Sequence, residues 1–142
     1  MSFNEKTTLG VLIATIVVFG WYFIEAAGLM AAGTTSVDDF SLSMWVMLGL
    51  YIAMIIAATI ISAIMSRDEG DEMGEVDERD EMIDARSERI GSYIQGAGLF
   101  GILVLVTLEY STFIIAHAIL ALMAVSTIVT FGLRFYLYRR GA

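Results

Sequence analysis

The hydrophobic residues of this chain are grouped into four long stretches that are separated by more polar segments. The stretches run over residues 8–26, 41–65, 90–108 and 113–133, and none of them contains lysine or arginine. At about 1.5 Å per residue, each stretch forms a helix of about 28–37 Å, which is long enough to cross a hydrocarbon layer of about 30 Å. Because a single segment satisfies its backbone hydrogen bonds in lipid only as a helix, the pattern predicts an all-α protein. We expect an integral membrane four-helix bundle that forms one domain over residues 1–142.

The first stretch also has features of a secretory signal peptide, because one lysine precedes it and small residues follow it. However, its apolar run is long and ends near Trp21 and Tyr22, which are typical of a membrane–water interface. We therefore expect this segment to be retained as the first membrane span.

The positively charged residues predict the orientation of the chain. All eight lie before the first stretch, between the second and third, or after the fourth: Lys6, Arg67, Arg79, Arg86, Arg89, Arg134, Arg139 and Arg140. The connections at 28–40 and 109–112 contain none. Because lysine and arginine accumulate in the cytoplasmic loops of membrane proteins, we expect both termini and the segment 66–89 to lie in the cytoplasm.

The composition excludes several classes of function. The chain is 58% hydrophobic with a mean hydropathy of +0.76, which is too apolar for the surface of a small soluble enzyme. It has no cysteine and one histidine, which excludes disulfides, thiolate metal sites and iron–sulfur clusters. A net charge of −8 disfavours binding to nucleic acid. No catalytic or calcium-binding motif occurs, and we expect a non-enzymatic protein without a cofactor or metal.

The segment 66–89 is acidic, and its charges are sorted by position. From its first to its last arginine it contains eleven acidic and four basic residues, which is a net charge of −7. The run from Glu75 contains no helix-breaking residue and predicts an amphipathic helix that continues into the third stretch. At about 100° per residue, Arg79, Ile83 and Arg86 lie on one side of this helix, and several acidic residues lie on the other.

Arg86 has no acidic residue one turn before or after it, so we expect its partner elsewhere. A lipid phosphate, a carboxylate of a neighbouring copy and another protein are the candidates. A solvated helix whose arginines extend to the lipid headgroups is the alternative. Arg139 and Arg140 lie on the same side of the membrane, and we expect them to pair with the acidic helix, within one chain or between copies. The candidate interaction residues are therefore Arg79, Ile83, Arg86, Arg139 and Arg140.

Three ionisable residues lie near the ends of the stretches, and these are Glu25, Glu109 and His117. Counting along the helices from the nearest basic residues places all three near the outer surface of the membrane. Ionisable residues in membrane segments are functional candidates, and a histidine between two carboxylates can relay protons, bind an ion or sense pH. The simpler alternative, in which the three side chains contact only water at the interface, stays open.

The segment Asp77–Asp80, which reads D-E-R-D, and residues 136–141, which read Y-L-Y-R-R-G, resemble a prokaryotic family of small four-span membrane proteins. This family is a domain of unknown function in which D-E-R-[DE] precedes the third span and an aromatic-Arg-Arg-Gly motif closes the chain. The resemblance covers about residues 77–141, and the acidic insert at 68–75 departs from it. It implies a multi-pass protein of the bacterial or archaeal cytoplasmic (inner) membrane with a cytoplasmic interaction face, and it implies no catalytic residues.

These features predict a non-enzymatic inner-membrane protein that acts as a homo-oligomeric or accessory subunit through its acidic, arginine-bearing helix. The expected partners are the lipid bilayer and a second copy or another membrane or cytoplasmic protein. The alternative is a small oligomeric ion channel or proton-linked transporter, with Glu25, Glu109 and His117 near its outer mouth. A channel needs a polar stripe along at least one span, and the centres of these stretches are almost wholly apolar, which favours the first interpretation.

Overall fold

The computed structural model describes residues 3–68 and 78–140, which form four α-helices. The helices are α1 (Phe3–Ala32), α2 (Val37–Asp68), α3 (Glu78–Thr107) and α4 (Thr112–Arg140). All four are long and apolar enough to cross a membrane. The predictions of an all-α fold and of four helices able to span a membrane are therefore confirmed.

Charged residues continue the helices beyond the apolar stretches at one end of the molecule. α3 begins at Glu78 and runs without interruption into its apolar part, whereas the expected helix start at Glu75 lies outside the described residues. The start of α1 contacts both the start of α3 and the end of α4, and α2 runs antiparallel to α1. We call this end of the molecule the charged end, and we call the opposite end, which has the two short connections, the turn end.

The connection from α1 to α2 is closed by hydrogen bonds on both sides. Gly33 has a φ of +74°, which a residue without a side chain adopts without strain, and it follows the last residue of α1. The amide of Thr34 donates to the carbonyl of Leu29 (3.1 Å), as is common where a glycine ends a helix. Ser36 precedes α2, and its amide and hydroxyl both donate to the carboxylate of Asp39 (3.0 and 2.6 Å).

The connection from α3 to α4 has a similar backbone with a bulkier residue. Glu109 has a φ of +57°, a conformation that costs a residue with a side chain about 1–2 kcal/mol. The amide of Tyr110 donates to the carbonyl of Leu105 (3.1 Å), and the amide of Ile114 donates to the hydroxyl of Ser111 (3.4 Å), which caps α4. Glu109 therefore has the same role after α3 that Gly33 has after α1, because each residue ends its helix with a positive φ.

The four helices pack as a row in the order α2, α1, α4, α3. α1 and α4 form the central pair, α2 packs along α1, and α3 packs along α4. α2 also reaches α4 near the turn end, where the rings of Phe40 and Phe113 are 5.3 Å apart. The expected bundle is thus an open one, and most of the apolar surface of α2 and α3 is exposed.

Glycines set how closely the outer helices approach the central pair. A Cβ atom placed on Gly10 would lie 2.8 Å from the Cβ atom of Ala58 in α2. A Cβ atom on Gly91 would collide with Oγ1 of Thr130, and one on Gly98 would collide with a leucine side chain, both in α4. Helices in lipid associate through such close packing, because the lipid is as apolar as the side chains. α3 is therefore held against α4 at two glycines that are about two helical turns apart.

A cluster of buried apolar residues joins α1, α2 and α4 toward the turn end. It consists of Val18, Phe19, Tyr22, Ala26, Phe40, Met47, Phe113, Leu120 and Ala124. Tyr22 is buried in this cluster, whereas its neighbour Trp21 is exposed. Adjacent side chains on a helix point about 100° apart, so one of the two faces α4 and the other faces outward. Tyr22 therefore belongs to the core, and the interfacial position stays a prediction for Trp21.

Candidate functional site

Three helices meet at the charged end through polar side chains. Nδ2 of Asn4 in α1 donates a hydrogen bond to Oδ2 of Asp80 in α3 (2.9 Å). Arg134 in α4 forms two ion pairs with α3: its Nε lies 2.8 Å from Oδ1 of Asp84, and its Nη2 lies 3.2 Å from Oε1 of Glu88. The three carboxylates are spaced four residues apart and therefore share one side of α3. We call these five residues the charged-end network.

Arg134 is the most enclosed of the three ion-paired residues. Its side chain is 14% exposed, compared with 39% for Asp84 and 68% for Glu88. Its guanidinium group also lies 5.0 Å from the centre of the Phe131 ring. A shielded cation is screened less by water and salt than an exposed one, so this pair contributes more to the packing of α3 on α4 than a surface ion pair does.

Burial changes the protonation of two groups in or beside this network, both of which lie outside the apolar stretches. Burial raises the pKa of Asp84 above its ordinary value of 3.8, although the neighbouring Arg134 acts in the opposite direction. Burial, together with the carboxylates of Asp84 and Asp80, raises the pKa of Tyr138 to about 12. Tyr138 is therefore neutral near neutral pH, and Asp84 takes up its proton at a higher pH than an exposed aspartate does.

The two C-terminal arginines contact groups outside the acidic helix. Nε of Arg139 lies 3.3 Å from Oε1 of Glu5 at the start of α1. The guanidinium group of Arg140 lies 4.9 Å from the centre of the Tyr136 ring. Among residues 78–140, the acidic helix is thus paired with the C-terminal helix through Arg134, and no described carboxylate of α3 forms an ion pair with Arg139 or Arg140.

The opposite side of α3 carries exposed cations. Arg79, Arg86 and Arg89 are exposed, and no carboxylate in residues 3–68 and 78–140 forms an ion pair with them. Met82 and Tyr93 lie on the same side of the helix and are also exposed. We call these five residues the arginine face. It combines three positive charges with two large side chains that offer apolar contact.

Ile83, which the sequence places on the same stripe as Arg79 and Arg86, lies at the border of the arginine face. Its side chain is 1% exposed, and Ser87 and Gly91, one and two turns later, are buried as well. The hydroxyl of Ser87 donates to the carbonyl of Ile83 (2.7 Å). Ile83 is therefore part of the packing of the chain itself, and the two arginines beside it remain accessible.

His117 lies in an aromatic pocket near the turn end. Its Nδ1 is 2.7 Å from the carbonyl oxygen of Phe113, and its Nε2 is 3.1 Å from the hydroxyl of Tyr22. Because a carbonyl oxygen only accepts, Nδ1 carries a hydrogen, and in the neutral ring Nε2 accepts the hydrogen of Tyr22. The centres of the Phe113 and Phe40 rings lie 4.0 and 5.3 Å from that of the histidine. The imidazole is thus held in one orientation and links α4 to α1.

The two glutamates that the sequence groups with His117 differ in their contacts. Glu25 lies one turn from Tyr22 on α1, and Ser43 in α2 donates a hydrogen bond from Oγ to its Oε1 (2.7 Å). Glu109 is exposed in the turn after α3, and its side chain has no hydrogen bond or ion pair with any residue that the structure describes. All three residues therefore lie toward the turn end, where Glu25 and His117 are both close to Tyr22, and Glu109 has no described contact with either of them.

The role of Arg134 in the charged-end network was not predicted from the sequence, where this residue served as a marker of orientation. The four-residue spacing of Asp80, Asp84 and Glu88 was the available signal, because it places three carboxylates on one side of a helix. An arginine directly after an apolar stretch either extends to the headgroups or pairs with a carboxylate. No pattern in the sequence indicates the contact of Tyr22 with His117, because the two residues are 95 positions apart and lie on different helices.

Comparisons with known proteins do not identify this chain. No family model, curated protein or solved structure matches it. Among the described residues, no three His, Cys, Asp or Glu side chains are arranged to hold a metal ion. The functional proposal therefore depends on the contacts and charges at the two ends of the helices.

Proposed function

We propose that this protein is a non-enzymatic, multi-pass subunit of a bacterial or archaeal cytoplasmic membrane, with its charged end in the cytoplasm. All eight basic residues belong to the charged end or to the segments that extend from it, and such residues accumulate on the cytoplasmic side. The resemblance of residues 77–141 to a small four-span family supports the same architecture. In this role the protein forms a homo-oligomer or accompanies another protein, and it docks through the arginine face.

The observation that carries this proposal is the division of charge around α3. Asp80 and Asp84 face the neighbouring helices, where Asn4 and Arg134 bind them. The three arginines of the arginine face point outward, without a described carboxylate as partner. Guanidinium groups bind carboxylates through paired hydrogen bonds, and the exposed methionine and tyrosine among them add apolar contact. A face of this kind fits a partner surface that is acidic and partly apolar.

A second copy of the chain supplies acidic groups in excess. The sequence has sixteen acidic residues and eight basic ones, which gives a net charge of −8. In a symmetric dimer, the arginine face of each copy binds carboxylates of the other, so every contact is formed twice. Contacts of this type weaken as the salt concentration rises.

Reversing two charges of the arginine face tests this role. In the variant Arg79→Glu/Arg86→Glu we expect self-association of the detergent-solubilised protein to weaken by more than tenfold, because each reversal replaces an attraction of about 0.5–1 kcal/mol with a repulsion of similar size. Sedimentation equilibrium at low and high salt measures the association constant, and we expect the wild-type complex to weaken with salt.

Arg67→Glu is the matched control, since Arg67 is exposed at the end of α2 and lies outside the arginine face. This control should associate as the wild type does. A wild-type monomer whose complex with another membrane protein is lost in the double variant identifies the accessory form of the proposal. A double variant that keeps the full wild-type association contradicts the docking role.

The hydrogen bond between His117 and Tyr22 favours a second candidate function. The ring can gain a proton without moving, because neutral Nε2 accepts from the Tyr22 hydroxyl and protonated Nε2 donates to the same oxygen. With Glu25 at the same end, this arrangement suits the outer mouth of a small channel or proton-linked transporter. Within one chain, however, Val18 and Leu120 occupy the apolar core beyond it, so a path requires several copies.

Proton flux into liposomes separates the two candidates. For a docking subunit we expect the purified wild type to give the background rate of protein-free liposomes, measured with an enclosed pH-sensitive dye. A flux above this background that His117→Gln lowers at least tenfold would support the transporter instead. Asp38→Asn is the control, because it neutralises an exposed carboxylate at the turn end that is not hydrogen-bonded to any described residue and is not one of the three candidate residues.

A further inference from the structure

A polar groove begins at the charged end and runs between α3 and α4. It has a volume of about 260 Å³, and most of its polar lining comes from Glu88, Ser92, Gln95, Thr127 and Thr130. It starts at Glu88 and reaches Gln95, which lies about 10 Å farther along α3. The deeper part of the groove therefore lies within the third apolar stretch.

The polar side chains of this groove differ in whether they have a partner. Thr130 has one, because its hydroxyl donates to the carbonyl of Ser126 in its own helix (2.8 Å). Ser92, Gln95 and Thr127 form no side-chain hydrogen bond with any residue in 3–68 or 78–140. An amide or hydroxyl group that faces hydrocarbon without a partner is strongly unfavourable. The groove is therefore suited to an occupant with polar groups at this depth.

The charges at the entrance favour one type of headgroup. Glu88 is the only charged side chain among the residues that line the groove, and it shares the single cation Arg134 with Asp84. The two carboxylates outnumber the guanidinium group, so the entrance attracts an ammonium group. The amide of Gln95 and the hydroxyls of Ser92 and Thr127 can donate to phosphate and ester oxygens. We propose that the groove binds one phospholipid whose headgroup carries a primary ammonium, with the ammonium at Glu88 and the phosphate and ester oxygens at Gln95 and Thr127.

A lipid fits this space better than a helix of a second copy does. Gly91 also lines the groove, at a point where α3 and α4 are too close to admit a Cβ atom. The groove is consequently shallow there, and a helix of about 10–12 Å diameter does not enter it. The headgroup region occupies about 5–8 Å of each leaflet, with the ester groups next to the hydrocarbon. With the ammonium at Glu88, the ester groups come within reach of the long side chain of Gln95, which lies about 10 Å farther along α3.

Lipid binding to the purified full-length chain tests the proposal. Native mass spectrometry in detergent compares phosphatidylethanolamine with phosphatidylglycerol of identical acyl chains. We expect the wild type to bind phosphatidylethanolamine about tenfold more tightly, and Gln95→Leu/Thr127→Val to weaken this binding about tenfold through the loss of hydrogen bonds. Glu88→Gln should remove the preference between the two lipids, because the ammonium then meets a neutral amide.

Thr59→Val is the matched control for the loss of a threonine hydroxyl. Thr59 is exposed on α2 and donates to the carbonyl of Ile55 in its own helix (2.9 Å), so this variant should bind both lipids as the wild type does. Arg79→Glu/Arg86→Glu should keep the lipid preference, which separates this inference from the proposed docking role. Thermal unfolding of each variant verifies that it is folded before its lipid binding is compared.

Two results would overturn the proposal. The first is equal affinity of the wild type for the two lipids. The second is unchanged lipid affinity in Gln95→Leu/Thr127→Val, and if this variant also loses self-association, the groove is a contact between copies.

Discussion

Replacing Arg134 with methionine is expected to lower the free energy of unfolding by about 2–3 kcal/mol near neutral pH. Methionine keeps an unbranched apolar side chain, but it leaves the partly buried Asp84 carboxylate without a cation and Glu88 without its partner in α4. Breaking a fully buried pair costs about 3–5 kcal/mol, and the partial exposure of Asp84 reduces this value. Unfolding in mixed micelles with increasing dodecyl sulfate, followed by far-ultraviolet circular dichroism, measures the change.

Arg140→Met is the matched control, because it makes the same change six residues later on the same helix. Arg140 is exposed and contacts the ring of Tyr136, so we expect this control to cost less than about 1 kcal/mol. Equal destabilisation by the two substitutions would show that the charged-end network does not hold α3 against α4.

The cost of Arg134→Met should also depend on pH in one direction. Because the pKa of Asp84 is raised above 3.8, mainly by burial, its contribution to stability is complete below 3.8 and is lost as the pH rises through the raised pKa. Arg134 reduces this loss, since it attracts the ionised carboxylate and lowers the pKa of Asp84. Removing Arg134 is therefore most costly near neutral pH, and the stabilities of wild type and variant should converge as the pH falls toward about 4.

Gly91→Ala is expected to destabilise the protein by about 1–3 kcal/mol through overpacking between α3 and α4. The new Cβ atom would collide with Oγ1 of Thr130, and that hydroxyl is held by its hydrogen bond to the carbonyl of Ser126 (2.8 Å). Relief requires either the loss of this bond or the separation of the two helices. The same unfolding titration measures the effect.

Gly96→Ala on the same helix is the control, because a Cβ atom at this position has no heavy atom within 4 Å. We expect it to be neutral or to stabilise the helix by up to about 1 kcal/mol, since alanine favours a helix more than glycine does. If Gly91→Ala behaves in the same way as Gly96→Ala, the close approach at Gly91 does not limit the packing of α3 on α4.

The helices themselves were predictable, because apolar length is a local property of the chain. A backbone segment in lipid satisfies its hydrogen bonds as a helix whatever its neighbours are, so every apolar stretch lies in one helix, apart from Leu108 just after the end of α3. The helix ends were less predictable: α1 extends over Phe3–Ala32, beyond the stretch at 8–26, because polar residues also continue a helix outside the apolar layer. Glu109 could not be predicted as a helix-ending residue, because it has a positive φ that is unfavourable for a residue with a side chain.

The partners of individual side chains were much harder to predict. These spans are apolar on nearly every side, so the hydrophobic pattern does not indicate which side meets a neighbouring helix. Tyrosine and tryptophan are both typical of a membrane interface, so the residue type does not distinguish Tyr22 from Trp21. In the structure, only Tyr22 points toward His117. The pairing of Arg134 with Asp84 likewise depends on how two helices are rotated against each other.

By itself, the sequence determined the all-α class, the four helices able to span a membrane and the separation of the basic residues from the two short connections. Only the tertiary structure decided the row order α2, α1, α4, α3, the inward direction of Asp84, the outward direction of Arg86 and the polar groove between α3 and α4. The physical reason is that lipid is as apolar as the side chains of the spans, so hydrophobicity places the helices in the membrane without choosing their neighbours. That choice depends on a few close contacts and polar pairs, such as Gly91 with Thr130 and Asp84 with Arg134.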